Sequence, residues 1–147
     1  MATKPNKPPI KEKYIKTPER LWELFLMYRG WAKSNPYLVK DWVGGVAKEV
    51  IREKERPLTF IGFECYLAEE GTIQDLDQYL SNRDGRYEAY VGIITRIKKT
   101  IEAEQFEGAS AGMYNANIIA RKLGLTEKTD NKNENTNKNF DVTLDLK

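Results

Sequence analysis

The sequence predicts a mainly α-helical protein with a β-hairpin inserted after the first helix and one further strand at the C-terminal end. Apolar side chains recur every three or four residues along several stretches, which is the spacing of amphipathic helices. Gly44-Gly45 separates two runs of strand-like composition and indicates a hairpin. Residues 140–146 alternate strictly between apolar and polar side chains, which indicates a half-buried strand.

The first sixteen residues form a basic arm in which Glu12 is the only acid. Pro5, Pro8 and Pro9 keep this segment extended. An extended basic arm suits binding along a DNA phosphate backbone, and a solubilising tail is the equal alternative. The candidate DNA-binding residues of the arm are Lys4, Lys7, Lys11, Lys13 and Lys16.

The first helix is predicted to begin at Thr17-Pro18-Glu19 and to run to about Ser34. A hydroxyl cap, a proline in the first turn and an acid near the positive helix end all favour this start. Asn35-Pro36 ends the helix. Its aromatic side chains indicate a core-facing surface.

Residues 37–43 and 46–56 are predicted to be the two strands of the hairpin, joined by a tight turn at Gly44-Gly45. Side chains of even number on the return strand share one face, since successive side chains of a strand alternate. This basic face is either a DNA contact or a solvated surface, and a helix through residues 49–55 is the local alternative. The candidate DNA-binding residues of this face are Lys48, Arg52, Lys54 and Arg56.

Two short helices are predicted next, capped by Thr59 and Thr72 and separated by residues 68–71. Two short helices joined around a glycine have the form of a helix-turn-helix unit. The second helix, residues 73–79, contains two acids and no base, so a role in packing alone is the alternative. Its candidates for contact with base edges, and the candidates for backbone contact that follow it, are Gln74, Gln78, Arg83 and Arg86.

A long helix is predicted from about Arg86, after a turn at residues 82–85. Its apolar side chains recur at steps of three and four and form one continuous seam. Such a seam packs either on a second helix of its own chain or on a neighbouring subunit, and we predict that it joins copies of the chain. The seam consists of Tyr87, Tyr90, Ile94, Ile97 and Ile101.

The chain then turns a small-residue corner, in which Gly108 and its neighbours let two backbones approach closely. Asn115 is predicted to cap a final helix, which Gly124 ends in a left-handed conformation. Residues 127–139 are polar and indicate a flexible linker. The strand at residues 140–147 requires a partner, because one strand cannot satisfy its own backbone hydrogen bonds.

Composition argues against catalysis. The chain of 147 residues has no histidine, a net charge of +2 and a single cysteine, Cys65, which the apolar surroundings predict to be a buried, inert thiol. No phosphate-binding loop motif, metal-ligand cluster or cofactor motif occurs in the sequence. The lone cysteine and the lack of an apolar run of about 20 residues predict a cytoplasmic protein that does not cross a membrane.

Three phrases of the sequence resemble the small subunits of tailed-phage terminases. They read RPLTFIGFECYLAEEG, RDGRYEAYVGIITRIKKTIEAEQFEGA and GASAGMYNANIIARKLGL, and the resemblance spans roughly Thr17 to Lys128. The positions that resemble the DNA-binding element of that family are Pro57, Thr59, Gly62, Leu67 and Thr72.

The resemblance implies viral genome packaging without catalysis. A member of that family binds double-stranded phage DNA, forms a ring of several copies in the host cell cytoplasm, and delivers the DNA to a large subunit with ATPase and nuclease activities. The C-terminal segment then serves ring closure or contact with the large subunit. A dimeric helix-turn-helix transcription regulator and a protein-binding scaffold are the alternatives.

Overall fold

In the computed structural model, residues 13–125 are described and consist of five α-helices and a two-stranded antiparallel sheet. The predicted arm residues Lys4, Lys7 and Lys11, the linker at 127–139 and the strand at 140–147 lie outside the described residues. In chain order the elements are α1 (Pro18–Ser34), β1 (Tyr37–Val43), β2 (Lys48–Lys54), α2 (Phe60–Glu69), α3 (Asp77–Leu80), α4 (Val91–Ser110) and α5 (Ala116–Leu123).

The mainly α-helical class is confirmed, and α1 has the predicted bounds. The hydroxyl of Thr17 accepts a hydrogen bond from the backbone N–H of Arg20 at 3.1 Å, and Pro18 occupies the first turn. Asn35 follows the last helical residue, Ser34. Local capping chemistry is therefore sufficient to place both ends of this helix.

The sheet pairs Tyr37 with Lys54 at its base and Val43 with Lys48 at its tip. Its connection is longer than predicted, because β2 begins at Lys48 rather than at residue 46. Gly44 and Ala47 both adopt positive φ, and the N–H of Ala47 bonds to the carbonyl of Gly44 at 3.1 Å. A four-residue turn thus replaces the predicted two-residue one, and the alternative helix at 49–55 is not formed.

The prediction of a second helix from residue 73 to 79 is wrong. Gly71 ends α2 at a φ of 70°, and the N–H of Thr72 bonds to the carbonyl of Leu67, so Thr72 belongs to the end of α2 and caps no following helix. Glu64 of α2 accepts the N–H of Leu76 at 2.9 Å, which holds the connection in a non-helical path. The second helix, α3, has four residues.

The long helix begins at Val91, five residues later than predicted. Two 3₁₀ turns, Arg83–Gly85 and Glu88–Tyr90, precede it. Asn82 has positive φ, and its side-chain oxygen accepts the N–H of Tyr87 at 2.8 Å. This bond and the burial of the Tyr87 ring against Tyr79, with ring centres 4.4 Å apart, hold the segment outside α-helical geometry.

Helices α1, α2 and α4 enclose the core. Phe63 of α2 is fully buried, and its ring centre lies 5.5 Å from those of Phe25 and Tyr28 on α1. Gln105 of α4 is buried as well, and it donates a hydrogen bond to the carbonyl of Leu58 at 2.7 Å. This hydrogen bond offsets the cost of burying the polar amide in the core.

Cys65 does not have the buried position that the sequence predicts. The buried face of α2 consists of Phe63, Tyr66 and Leu67, and the Cys65 side chain is exposed. The helix α2 carries apolar side chains on most of its sides, so its composition does not distinguish the buried face from the exposed one.

The corner between α4 and α5 confirms both predicted caps. The side chain of Asn115 accepts the N–H groups of Asn117 and Ile118, and Gly124 ends α5 at a φ of 70°. At Gly108, however, the ring of Tyr114 occupies the space that a β-carbon would take. The small residue at position 108 therefore makes room for an aromatic ring against the backbone of α4, and not for a second backbone as predicted.

Candidate nucleic-acid interface

The basic arm is attached to the helical body through Ile15. Its side chain is 1% exposed, its N–H donates to the Tyr79 hydroxyl at 2.8 Å, and its carbonyl accepts from the Tyr90 hydroxyl at 2.6 Å. Burial raises the pKa of both tyrosines, so the hydroxyls stay protonated. Residue 15 therefore belongs to the core, and it holds the described end of the arm, residues 13–16, on the helical body.

Replacing Tyr90 with phenylalanine should destabilise the protein by about 1 kcal/mol, because the buried carbonyl of Ile15 would lose its shorter hydroxyl donor and keep only the Tyr79 hydroxyl at 3.4 Å. Urea unfolding of the full chain measures this. Tyr14→Phe is the matched control, since the Tyr14 side chain is 70% exposed and its unfolding midpoint should stay unchanged. Equal midpoints for the two variants would show that the anchor contributes no stability.

Three of the predicted DNA-binding residues meet around Tyr87. The amine of Lys13 lies 5.2 Å from the ring centre, and the guanidinium carbon of Arg86 lies 5.9 Å from it. The Tyr87 hydroxyl donates to the side-chain oxygen of Gln78 at 3.0 Å. The base of the arm, α3 and the 3₁₀ turns thus present two cations and one amide together.

Lys16 and Arg83 are exposed on the segments that adjoin this group. Gln74 is exposed as well, and together with Tyr14, Asp75 and Gln78 it lines a shallow hollow beside the group. Asp75 accepts the N–H of Asp77 at 3.1 Å, so both acids remain near the amides that were predicted to contact bases. The local charge here is mixed.

The sheet carries a second group of basic side chains. Its register places Lys48, Arg52 and Lys54 on the face that also carries Asp41. The Arg52 Nε lies 3.1 Å from an Asp41 carboxylate oxygen, so one of the three cations has an acidic partner. All three side chains are exposed.

Arg56 is engaged at the base of the sheet. Its guanidinium carbon lies 4.0 Å from the Tyr37 ring centre and 5.1 Å from that of Trp31. It donates to the Tyr37 hydroxyl at 2.7 Å and to the carbonyl of Asn35 at 2.9 Å. These contacts join the end of α1 to the sheet, and they use a side chain that was predicted to bind DNA.

A groove between α1 and α4 gathers basic residues that sequence reasoning missed. Arg29 of α1 and Arg96 and Lys99 of α4 line it, together with acidic side chains. Arg29 pairs with Glu104, and the guanidinium of Arg96 lies 4.0 Å from the ring centre of Trp22. Sequence spacing does not signal the group, because Arg29 lies on a helix distant along the chain from the one that carries Arg96 and Lys99.

The predicted seam packs inside the chain. All five side chains are buried in the core that α1, α2 and α4 enclose. Of the two partners that the sequence left open, the structure shows the chain's own helices, and a contact between copies through this seam would require the core to open. The buried seam residues are Tyr87, Tyr90, Ile94, Ile97 and Ile101.

Within residues 13–125, no three histidine, cysteine or acidic side chains are grouped so that they could hold a metal ion. None of the helices in this part of the chain combines the length and the apolarity needed to cross a bilayer.

Comparisons with known proteins agree with a nucleic-acid-related role. The family described as DNA-packaging protein gp3 matches residues 11–131. The terminase small subunit of Salmonella phage P22 is 32% identical to this chain over 118 residues, which cover 78% of this chain and 68% of that protein.

Proposed function

Because the chain belongs to the DNA-packaging protein gp3 family, we propose that it is the small subunit of a phage terminase. In this role it binds viral double-stranded DNA as a ring of several copies and delivers it to a large subunit that carries the ATPase and nuclease activities. The chain itself has no catalytic role. The observation that carries this proposal is the family match across most of the chain, including the segment that anchors the basic arm.

The arm and the group around Tyr87 form the proposed DNA contact. Lysines of an extended arm give a sequence-independent, salt-dependent attraction. Lys13 and Arg86 continue this charge onto the rigid body, because Ile15 is held by two tyrosine hydroxyls. Gln74 and Gln78 are the proposed contacts to base edges, and Arg83 and Lys16 the flanking contacts to phosphates.

The basic face of the sheet is the second proposed DNA contact. A two-stranded ribbon fits the major groove of B-form DNA, and the exposed Lys48 and Lys54 point from the same face as Arg52. Arg56 contributes indirectly, since it orients the sheet against Trp31 and Tyr37.

Ring assembly is proposed to repeat these contacts. Weak DNA contacts become strong together when several copies present them at a high effective concentration. The predicted strand at residues 140–147 is proposed to close the ring or to dock on the large subunit, since a lone strand requires a partner for its backbone. The site of action is the cytoplasm of the infected cell.

Native mass spectrometry of the full chain, combined with fluorescence anisotropy on duplex DNA, tests the proposal. We expect six or more copies per particle and DNA binding that weakens as salt rises. A dimer would favour a transcription regulator. Absence of binding to duplex DNA even at low salt would leave a protein-binding scaffold as the better account.

A further inference from the structure

One face of the sheet carries three large, exposed apolar side chains among charged ones, and we call it the apolar face. The register places Leu38, Trp42 and Ile51 on the face opposite Lys48, Arg52 and Lys54. Their exposures are 68%, 62% and 66%. Within residues 13–125, β1 and β2 make their main contacts with each other, and Arg56 joins the base of the sheet to Trp31 of α1.

Such a face requires a covering surface. A two-stranded sheet alone is marginally stable in water, and large apolar side chains grouped on an exposed surface mark a contact site. Acidic side chains accompany the apolar ones on this face: Glu49 lies opposite Trp42 and Glu53 opposite Leu38. Lys40 neutralises Glu49 at 2.8 Å, and Glu53 remains as the uncompensated acid.

The outer surface of α5 has the complementary character. Ile118 and Leu125 are 64% and 53% exposed, while the neighbouring Ile119 is buried. Arg121 and Lys122 lie between these two apolar side chains, one helical turn beyond Ile118, and both are exposed. The α5 surface is thus apolar and basic where the sheet face is apolar and acidic.

Leu125 lies just beyond the end of α5, since Gly124 ends the helix at a φ of 70° and the N–H of Leu125 bonds back to the carbonyl of Ala120. Within residues 13–125, α5 packs on α4, and both surfaces are exposed and so available to a contact between chains.

We propose that the apolar face of the sheet, formed by Leu38, Trp42 and Ile51 with Glu53, docks on α5 of a second copy of this chain, against Ile118, Arg121, Lys122 and Leu125. The inference rests on the proposed self-assembly and names its contact. Two different surfaces meet head to tail, which is the arrangement that closes into a ring. The opposite sheet face, with Lys48 and Lys54, stays outside the contact and remains available to DNA.

Substituting Trp42→Asp on the sheet or Ile118→Asp on α5 tests the contact from both sides. Each should raise the protein concentration needed for half-assembly by about tenfold or more, because each buries a charge in an apolar contact. Val46→Asp is the matched control, since Val46 is an exposed apolar residue of the turn and lies outside both strands. Light scattering over a concentration series measures assembly, and circular dichroism confirms that each variant is folded.

Tryptophan fluorescence offers a second readout, because Trp42 is the one of the three tryptophans that lies in the proposed contact. The summed emission should shift to shorter wavelength on assembly of the wild type, and this shift should be lost in Ile118→Asp. A charge exchange fixes the pairing: Glu53→Lys and Arg121→Glu/Lys122→Glu should each weaken assembly, and the triple variant should recover part of the loss.

If Trp42→Asp and Ile118→Asp both assemble at the same concentration as the wild type and keep its DNA affinity, this contact is overturned and the proposed function stays intact. A wild-type chain that stays monomeric at micromolar concentration and binds no DNA would overturn both. Loss of assembly in Val46→Asp to the same extent as in Trp42→Asp would also overturn the contact, since the effect would not depend on the face.

Discussion

Replacing Lys4, Lys7 and Lys11 with glutamine is expected to lower the affinity for duplex DNA by about a hundredfold near physiological salt. Each lysine that neutralises a phosphate contributes about 0.9 to the slope of log affinity against log salt concentration, so the slope should fall by about 2.7. Anisotropy titrations at several salt concentrations measure both quantities. The triple substitution spares Lys13 and Lys16, which flank the buried Ile15.

A matched control changes the same amount of charge elsewhere. Arg20 and Lys33 on α1 and Lys98 on α4 are exposed, and their replacement by glutamine should change the slope by much less. Equal slopes for the two triple variants would indicate that net charge alone attracts DNA, and would remove the arm from the mechanism. Truncation of the whole arm is a poorer test, because removing Ile15 would expose the tyrosine hydroxyls that it satisfies.

Gly108→Ala is expected to destabilise the protein by about 2 kcal/mol. The added methyl group would overlap the ring of Tyr114, which lies against the glycine. Either the ring leaves its place between α4 and α5, or the helices separate. Thermal or urea unfolding of the full chain measures the loss, and a weaker α4–α5 corner should also appear as faster amide exchange in α5.

Gly92→Ala is the control in the same helix. Nothing lies within 4 Å of a β-carbon at Gly92, so alanine should stabilise α4 by about 0.5 kcal/mol or less, because Gly92 lies in the first turn, where helix propensity counts for less than in the interior. The two substitutions are chemically identical and should act with opposite sign. A stabilising Gly108→Ala would mean that Tyr114 does not occupy the space beside the glycine in solution.

The helix ends show how far local chemistry reaches. Thr17, Thr59 and Asn115 were predicted as caps, and each accepts the expected backbone N–H groups. Gly124 was predicted to end α5 in a left-handed conformation and does so. These features depend on residues within three or four positions of one another, so the sequence contains all that is needed to predict them.

The connection between α2 and α3 shows where local reasoning stops. Thr72 is of a residue type that often caps helices, yet its N–H bonds to the carbonyl of Leu67 at the end of α2. The carboxylate of Glu64 accepts the N–H of Leu76. The seam along α4 shows the same limit. Its spacing predicts an apolar stripe, and the stripe is present, but the spacing does not tell which surface packs against it. The prediction that Cys65 is buried failed for a related reason: the sequence of an apolar helix does not show which of its faces is buried.

The mainly helical class, the bounds of α1 and the caps at Thr17, Thr59 and Asn115 follow from the order of the residues alone. The meeting of Lys13, Gln78 and Arg86 around Tyr87, and the position of Arg56 between Trp31 and Tyr37, required the folded chain. The periodicity of apolar residues indicates which side chains will be buried. The tertiary structure alone decides which surface buries them, because contacts between segments distant along the chain produce no pattern in the sequence.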